Sequence, residues 1–146
     1  ATIYRPLNNF FLNPFMEFLR RKYVCRNQIK KGINGVRESI EYIKKGFSIA
    51  LMIDQRVSEG EKVNFFSKSA LTTTLPAQLA LKYNLSIIPV FIERTKENNF
   101  EITFHENINP TEFKSKIDLT TKLNSILEQM IQKNPNQWIW THNRWK

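Results

Sequence analysis

The chain is poor in the residues that mark several common kinds of site. It has one cysteine, Cys25, so no internal disulfide forms and a reducing compartment is expected. Without a base nearby in sequence, Cys25 reads as a packing residue rather than a nucleophile. There are two histidines, His105 and His142; with no paired cysteines beside them they make no zinc set, and no metal is expected. Glycine is scarce, at four residues. No glycine-rich phosphate loop and no Gly-x-Ser-x-Gly elbow is present, which removes nucleotide cradles and serine nucleophiles of that kind. No apolar run approaches the ~20 residues that cross a bilayer. The chain also lacks an initiator methionine and opens mid-pattern at Ala1-Thr2-Ile3-Tyr4; it is expected to be a piece whose upstream part is missing.

What is present is enough for one core. The 146 residues are 41% hydrophobic and 12% aromatic, and they point to a single domain over 1–146. Net charge is +9, and its distribution says more than its size. Between Arg20 and Lys45 nine basic residues face only Glu38 and Glu41, an excess of nine minus two, or +7. Such a field attracts phosphate-bearing partners or an acidic protein, unless it is simply a solvated helix face.

The most informative stretch is Ile49-Ala50-Leu51-Met52-Ile53-Asp54-Gln55-Arg56. An unbroken apolar run reads as a strand covered on both faces, starting at Phe47 or Ser48 and ending at Asp54. Ligands of open α/β sheets sit beyond the carboxyl ends of strands. An acid, an amide and a guanidinium leaving one such strand together either line a site or merely begin a surface loop.

Elsewhere Ala1–Tyr4 reads as a short strand ended by Arg5-Pro6. Asn13 is placed to cap a helix with Pro14 in its first turn and Phe15, Phe18 and Leu19 on one side. Val36, Ile40 and Ile43 predict a helix stopped by Lys44, Lys45 and Gly46. Val57–Lys68 reads as a loop closing on something apolar through Val63, Phe65 and Phe66. Thr74 is placed to cap a helix over Leu75–Tyr83 that Asn84 terminates. Ile87–Ile92 reads as a buried strand perturbed by Pro89, hairpinned through Lys96–Asn99 to an edge strand at Phe100, Ile102 and Phe104. Leu119, Leu123, Ile126, Leu127, Met130 and Ile131 form an amphipathic helix stopped at Asn134-Pro135. The order of elements gives an α/β sandwich.

Several segments then resemble a known family in the right order along the whole chain. Tyr4-Arg5-Pro6 with Asn8-Asn9 resembles the Tyr-Arg-Pro-x-Asn-Asn stretch of the bacterial lipid A biosynthesis acyltransferases, the late lauroyl/myristoyl enzymes. Asp54-Gln55, with Phe65-Phe66 and Ala70 downstream, resembles their Asp-Gln segment and its Pro-Phe-Phe-Gly-x-x-Ala. Pro76-Ala77-Gln78-Leu79-Ala80, Ile88-Pro89 and Glu93-Arg94 continue the match. The end, Pro135-x-Gln137-Trp138-x-Trp140-x-His142-x-Arg144-Trp145, is similar to the family's Pro-Glu-Gln-Trp-Leu-Trp-x-His-Arg-Arg-Trp. Three positions depart from the family: Ser67 stands for the glycine after Phe-Phe, Asn136 for the glutamate, and Asn143 for the first arginine of His-Arg-Arg.

The resemblance implies a mixed, mostly parallel sheet flanked by helices, as in glycerolipid (lysophospholipid) acyltransferase-like proteins. It implies transfer of a fatty acyl group from acyl carrier protein, the thioester co-substrate, to a hydroxyl of a lipid A precursor, with no other cofactor. It implies work at the cytoplasmic face of the bacterial inner membrane, with the carrier, an anionic glycolipid and the membrane surface as partners and no nucleic acid. In the wider superfamily a His-x-x-x-x-Asp/Glu pair activates the acceptor hydroxyl, the imidazole taking its proton and the carboxylate fixing the tautomer. Neither His105 nor His142 supplies that spacing. The pair is expected upstream of Ala1, and the chain alone is expected to be inactive.

On the same resemblance Arg5, Asn8, Asn9, Asp54, Gln55, Arg56 and Arg144 are substrate-binding candidates. Arg5 and Arg56 suit lipid phosphate or phosphopantetheine, where a planar bidentate donor fits. Asp54 would hold a guanidinium or the acceptor sugar, or form a local ion pair or loop cap. Phe65 and Phe66 either wall an acyl channel or fill the core. Trp138, Trp140 and Trp145 form a belt beside lipid or a packed end, with packing favoured for the first two. A lysophospholipid acceptor, a basic nucleic-acid-binding module and a non-catalytic membrane-surface module are the alternatives.

Overall fold

Short strands and four helices make up the described part of the chain. A computed structural model describes residues 1–145, with no description of the Glu97 side chain. The chain divides into two compact units, Ala1–Met52 and Ile53–Lys146.

In the first unit β1 (Thr2–Tyr4) pairs in parallel with β2 (Gln28–Lys30), a strand absent from the expectations. Between them lies α1 (Leu12–Tyr23), and after them α2 (Ile33–Lys44). Asn13 does not cap α1: it lies inside the first turn, and the cap acceptor is Asn9 Oδ1, taking hydrogen bonds from the Phe11 and Leu12 amides at 3.0 and 3.1 Å. The stop of α2 at Gly46 is as expected. Gly46 adopts φ +82°, its amide bonds Ile43 O at 2.9 Å, and the Phe47 amide reaches Tyr42 O at 3.0 Å. The rings of Phe47 and Tyr42 close the motif edge to face at 5.4 Å.

The strand expected over residues 47–54 does not form. Only Ala50 is paired, in parallel with Thr2, its amide bonding Ala1 O at 2.8 Å and its carbonyl taking the Ile3 amide at 2.9 Å. A strand exists through its ladder, and beyond these bonds the run gains a rung from the Ala1 amino group, which donates to Ser48 O at 2.6 Å, too little to extend the pairing past one bridge. Hydrophobicity alone therefore overstated its order.

The second unit holds two hairpins and two helices. The expected loop at Val57–Lys68 is instead largely a hairpin, β3 (Glu61–Phe65) against β4 (Lys68–Thr72). Val63 and Phe65 alternate with Lys62 and Asn64, and the apolar pair is buried while the polar pair is exposed. Its two-residue turn places Phe66 at φ +48° and Ser67 at φ +59°. A tight hairpin needs left-handed central residues, which explains the family's glycine at the position Ser67 holds. Ser67→Gly is expected to raise stability by about 1 kcal/mol, read from urea unfolding. Thermal or urea midpoints that stay put would show the turn to be unstrained.

α3 (Leu75–Tyr83) has the expected bounds and ends at Asn84 in the left-handed conformation, φ +53°. Thr74 occupies the cap position, but the Leu75 amide bonds Thr73 Oγ1 at 3.3 Å, while Gln78 donates to Thr74 Oγ1 at 2.7 Å. α4 (Lys116–Lys133) is capped by Ser115, whose Oγ takes the Asp118 amide at 3.1 Å. Leu119, Leu123, Ala77, Ala80 and Ile108 form one core, and Phe65, Ala70 and Ile131 a second.

The hairpin expected from Pro89 onward forms as β5 (Val90–Arg94) and β6 (Phe100–Phe104). Its faces are the reverse of those expected. Val90, Ile92, Phe100, Ile102 and Phe104 are exposed, so the run is not a buried strand. Nor is there one mostly parallel sheet. The α/β class holds, but among the described residues the sheets are three two-stranded pairs, one parallel and two antiparallel.

Candidate functional site

In the second unit Asp54 and Gln55 bend out of the extended run, and a turn over Val57–Gly60 leads into β3. Gln55 and Arg56 are exposed; Asp54 is half-buried, with Oδ1 enclosed and without a hydrogen-bond partner. Opposite it lies Arg144, wholly buried. The Arg144 guanidinium donates through one terminal nitrogen to Leu71 O, and through the other to Thr72 Oγ1 at 3.0 Å and Ile53 O at 3.5 Å. Its plane lies over the Phe65 ring, 5.3 Å from the centroid. Burial pulls its pKa below the ordinary value, while the Asp54 carboxylate pushes it back up. The C-terminal segment is thus strapped to β4 and to the residue just ahead of Asp54. Of the Arg144 nitrogens only Nε lacks a partner.

The aromatic candidates lie beside this strap. Phe65 is wholly buried and Phe66 half-buried. Trp145 stacks on Phe65 at 5.6 Å and donates from Nε1 to Phe65 O at 2.9 Å. Trp138 packs edge to face on Phe65 at 5.9 Å, and Trp140 donates to Pro135 O at 2.7 Å. Phe65, Trp138 and Trp145 therefore fill the core of this unit. From α4, Glu128 accepts the Phe66 amide at 2.8 Å, and Asn124 donates to Asn64 O at 2.8 Å and to Thr72 Oγ1 at 3.4 Å. Thr72, Asn124 and Glu128 were not singled out in sequence. A polar residue within an apolar helical stripe, as Asn124 is, was the available signal.

In the first unit Arg5 and Asn8 are exposed, and Asn9 caps α1. Beside them a half-buried polar cluster ties α1 to the strands. Tyr4 donates to Glu17 at 2.8 Å, Asn13 donates to Glu17 at 2.9 Å, and Lys30 pairs with it at 3.3 Å. These partners, the Tyr4 hydroxyl foremost, hold the Glu17 carboxyl down to about 2. Burial and then Glu17 push the Tyr4 hydroxyl up to about 12. A carboxyl depressed on folding contributes stability above its unfolded pKa, about 4.3, and loses that contribution as pH falls toward its folded value. The first unit is therefore expected to loosen as pH falls through that window, and Glu17→Gln to flatten the profile. Unchanged acid profiles by hydrogen exchange in wild type and variant would count against the cluster. Cys25 is half-buried and donates weakly to Asn27 O at 3.5 Å.

The basic run is partly gathered. A cavity of about 710 Å³ is lined by Arg21, Gln28, Lys30, Lys31 and Arg37 around the first turn of α2. Of these cations Lys30 is the one engaged in an ion pair among the described residues.

Mixed α/β units, an acid-amide-guanidinium run and an aromatic tail strapped by a buried arginine are the features to be matched. A family model described as bacterial lipid A biosynthesis acyltransferase matches residues 1–146, the whole chain. The chain belongs to that family, and membership supports an acyltransferase role in lipid A biosynthesis. Comparison with individually curated proteins finds no match. Among the described residues no helix is long and apolar enough to cross a membrane.

Proposed function

We propose that the chain takes part in moving a fatty acyl group from acyl carrier protein to a hydroxyl of a lipid A precursor. The whole-chain family match carries this reading. The acid-amide-guanidinium run supports it physically. Arg56 is exposed and offers a planar fork to a phosphate of the glycolipid or of phosphopantetheine. Asp54, held in the field of Arg144, is the acceptor-side carboxylate that orients sugar hydroxyls rather than removing a proton. Within the first unit, the exposed Arg5 and Asn8 are candidates for binding the same class of substrate on the family resemblance. The basic run from Arg20 to Lys45 draws in the acidic carrier or the phosphorylated lipid at the inner face of the bacterial inner membrane. No cofactor beyond the acyl carrier thioester enters this reaction.

The test is made in the native chromosomal gene. Arg56→Ala and Asp54→Asn are each expected to cut acyl transfer by roughly a hundredfold, in line with the loss of one well-placed charged contact. Lipid A mass spectra should lose one acyl chain, and membranes should lose transfer from acyl carrier protein to the acceptor. Unchanged spectra with normal protein levels would remove both residues from the site. Full activity with a lysophospholipid and none with the glycolipid would replace the acceptor.

A further inference from the structure

Helix α1 is amphipathic, and its faces are turned the wrong way for water. The side docked on the strands is polar: Asn13 and Glu17 are hydrogen-bonded to each other, Glu17 to Tyr4, and the Arg20 guanidinium lies over the Tyr4 ring at 4.9 Å. The opposite side carries Phe11, Phe15 and Phe18, spaced four and three residues apart and therefore stacked along one stripe. Those three rings are 88%, 57% and 58% exposed, and Phe10 beside them 83%. No residue of α1 is buried. A helix that folds back on its unit normally buries its apolar stripe, so four outward phenylalanines in a short segment call for a non-aqueous neighbour.

The charge around the stripe identifies that neighbour. Lys22 continues the row of Phe11, Phe15 and Phe18, its ammonium lying 5.9 Å from the Phe18 ring and 5.1 Å from the Tyr23 ring. Phe18, Arg21, Lys22 and Arg26 together line a cavity of about 420 Å³. None of these three cations is in an ion pair among the described residues. Rings that enter an acyl layer, with ammonium and guanidinium groups at the end of the same row to meet phosphates, suit a lipid interface. The apolar face of β5 and β6 carries Arg94 at one end, over the Phe100 ring at 5.4 Å, rather than a cluster of cations, and nothing names its occupant.

We infer that α1 is the lipid-docking element of this chain: it lies in the plane of an anionic bilayer, Phe10, Phe11, Phe15 and Phe18 inserted, with Arg21, Lys22 and Arg26 on lipid phosphates. This deepens the lipid-acyltransferase reading by naming the surface that meets the membrane, and it rests on that reading only for its purpose. Binding to vesicles is measured without acyl transfer, so either reading can fail alone.

The test is sedimentation of the full chain with vesicles of phosphatidylcholine, with and without phosphatidylglycerol. Wild type is expected to bind the anionic vesicles preferentially. Phe15→Ser/Phe18→Ser is expected to weaken that binding by roughly tenfold or more, since two rings leave the acyl layer. Arg21→Glu/Lys22→Glu/Arg26→Glu should remove the preference for phosphatidylglycerol. Because the rings are already exposed, the serine pair should melt where wild type does. Hydrogen exchange on wild type keeps the test independent of the variants: amides over 10–24 should slow on anionic vesicles. Binding that is absent in wild type, or unaltered in the serine pair, overturns the inference. So does unchanged exchange over 10–24 in vesicle-bound protein. Loss of acyl carrier protein binding or of self-association in the serine pair, with vesicle binding kept, would assign the stripe to a protein instead.

Discussion

Arg144→Ala is expected to destabilise residues 53–146 by about 3–5 kcal/mol, the range for removing one partner of a buried charged network. Three acceptors lose one donor at once: Leu71 O and Thr72 Oγ1, which keep weaker bonds from the Val57 amide and Asn124, and Ile53 O. Each buried acceptor left unpaired costs about 1–3 kcal/mol. Asp54, whose Oδ1 is enclosed and unpartnered, would also lose the positive charge facing it. The side chain is wholly buried, so its removal leaves a cavity beneath the Phe65 ring as well. Arg144→Lys keeps the charge but not the fork, and one ammonium does not span the β4 backbone and Ile53 together. It is expected to recover less than half of the loss.

Urea unfolding followed through Trp138, Trp140 and Trp145 reads this directly, because all three tryptophans lie in the same unit. A loss below about 1 kcal/mol, the usual value for an exposed charge, would mean that the strap is not the one described. A double-mutant cycle with Asp54→Asn then separates the charge interaction from the carbonyl bonds. Coupling in that cycle would make Arg144 a positioning residue for Asp54. Its signature in acyl transfer would be a changed KM at nearly constant kcat when assayed below the melting range.

How far the sequence foretold this depends on what each element needs from its neighbours. α3, α4 and the stop at Gly46 were legible because their signals are local. Pro76 and Asn84 bracket α3, and six apolar residues at helical spacing mark α4. The run from Ile49 to Asp54 was misread because its composition suits a strand, whereas a strand requires partners that composition does not supply. The β3–β4 hairpin was misread in the other direction. Its period-two alternation at Lys62, Val63, Asn64 and Phe65 is genuine but short, and the turn carries Phe66-Ser67 in place of a glycine.

The two outward apolar faces share a different cause. Periodicity shows that α1 and the β5–β6 hairpin each have an apolar side, and it correctly placed Phe15 with Phe18 and Phe100 with Ile102. It does not say whether that side meets protein, lipid or water. In α1 the polar residues Asn13, Glu17 and Arg20 found partners in Tyr4 and Lys30, and that cluster fixed the rotation of the helix. For the candidate site, motif resemblance singled out Asp54, Gln55, Arg56 and Arg144, but only coordinates separate the exposed Arg56 from the wholly buried Arg144. Two arginines of equal standing in sequence thus have unlike surroundings: one open to solvent, one holding the tail in place.

The second large effect is expected in the first unit, at Gly35. In an unhindered helix Gly→Ala gains about 1 kcal/mol, so Gly35→Ala in α2 would stabilise if propensity decided the matter. Packing decides instead. A Cβ on Gly35 would stand 2.0 Å from Lys30 O, 3.1 Å from Lys30 C and 3.3 Å from Ile29 Cγ2. The first two atoms are backbone of β2, which is held by its ladder with β1 and has no rotamer to change. Relief requires α2 to move off the strand. That movement would also strain the buried Ser39, whose hydroxyl bonds Gly35 O at 2.7 Å. Overpacking typically costs 1–3 kcal/mol and occasionally more, and a backbone-on-backbone clash belongs at the upper end, about 3 kcal/mol. Gly32→Ala is the matched control. Nothing lies within 4 Å of its Cβ, so only its backbone conformation, φ +134° with ψ −177°, is penalised, at roughly 1–3 kcal/mol. Hydrogen exchange over residues 28–44 is expected to accelerate by roughly a hundredfold for Gly35→Ala, with the acceleration for Gly32→Ala confined to the first turn of α2. Because Lys30, Lys31 and Arg37 are arranged around this contact, the alanine at 35 should also disperse the basic cavity. If exchange over 28–44 slows instead, helix propensity has won, and α2 does not rest on β2 as closely as its glycine implies.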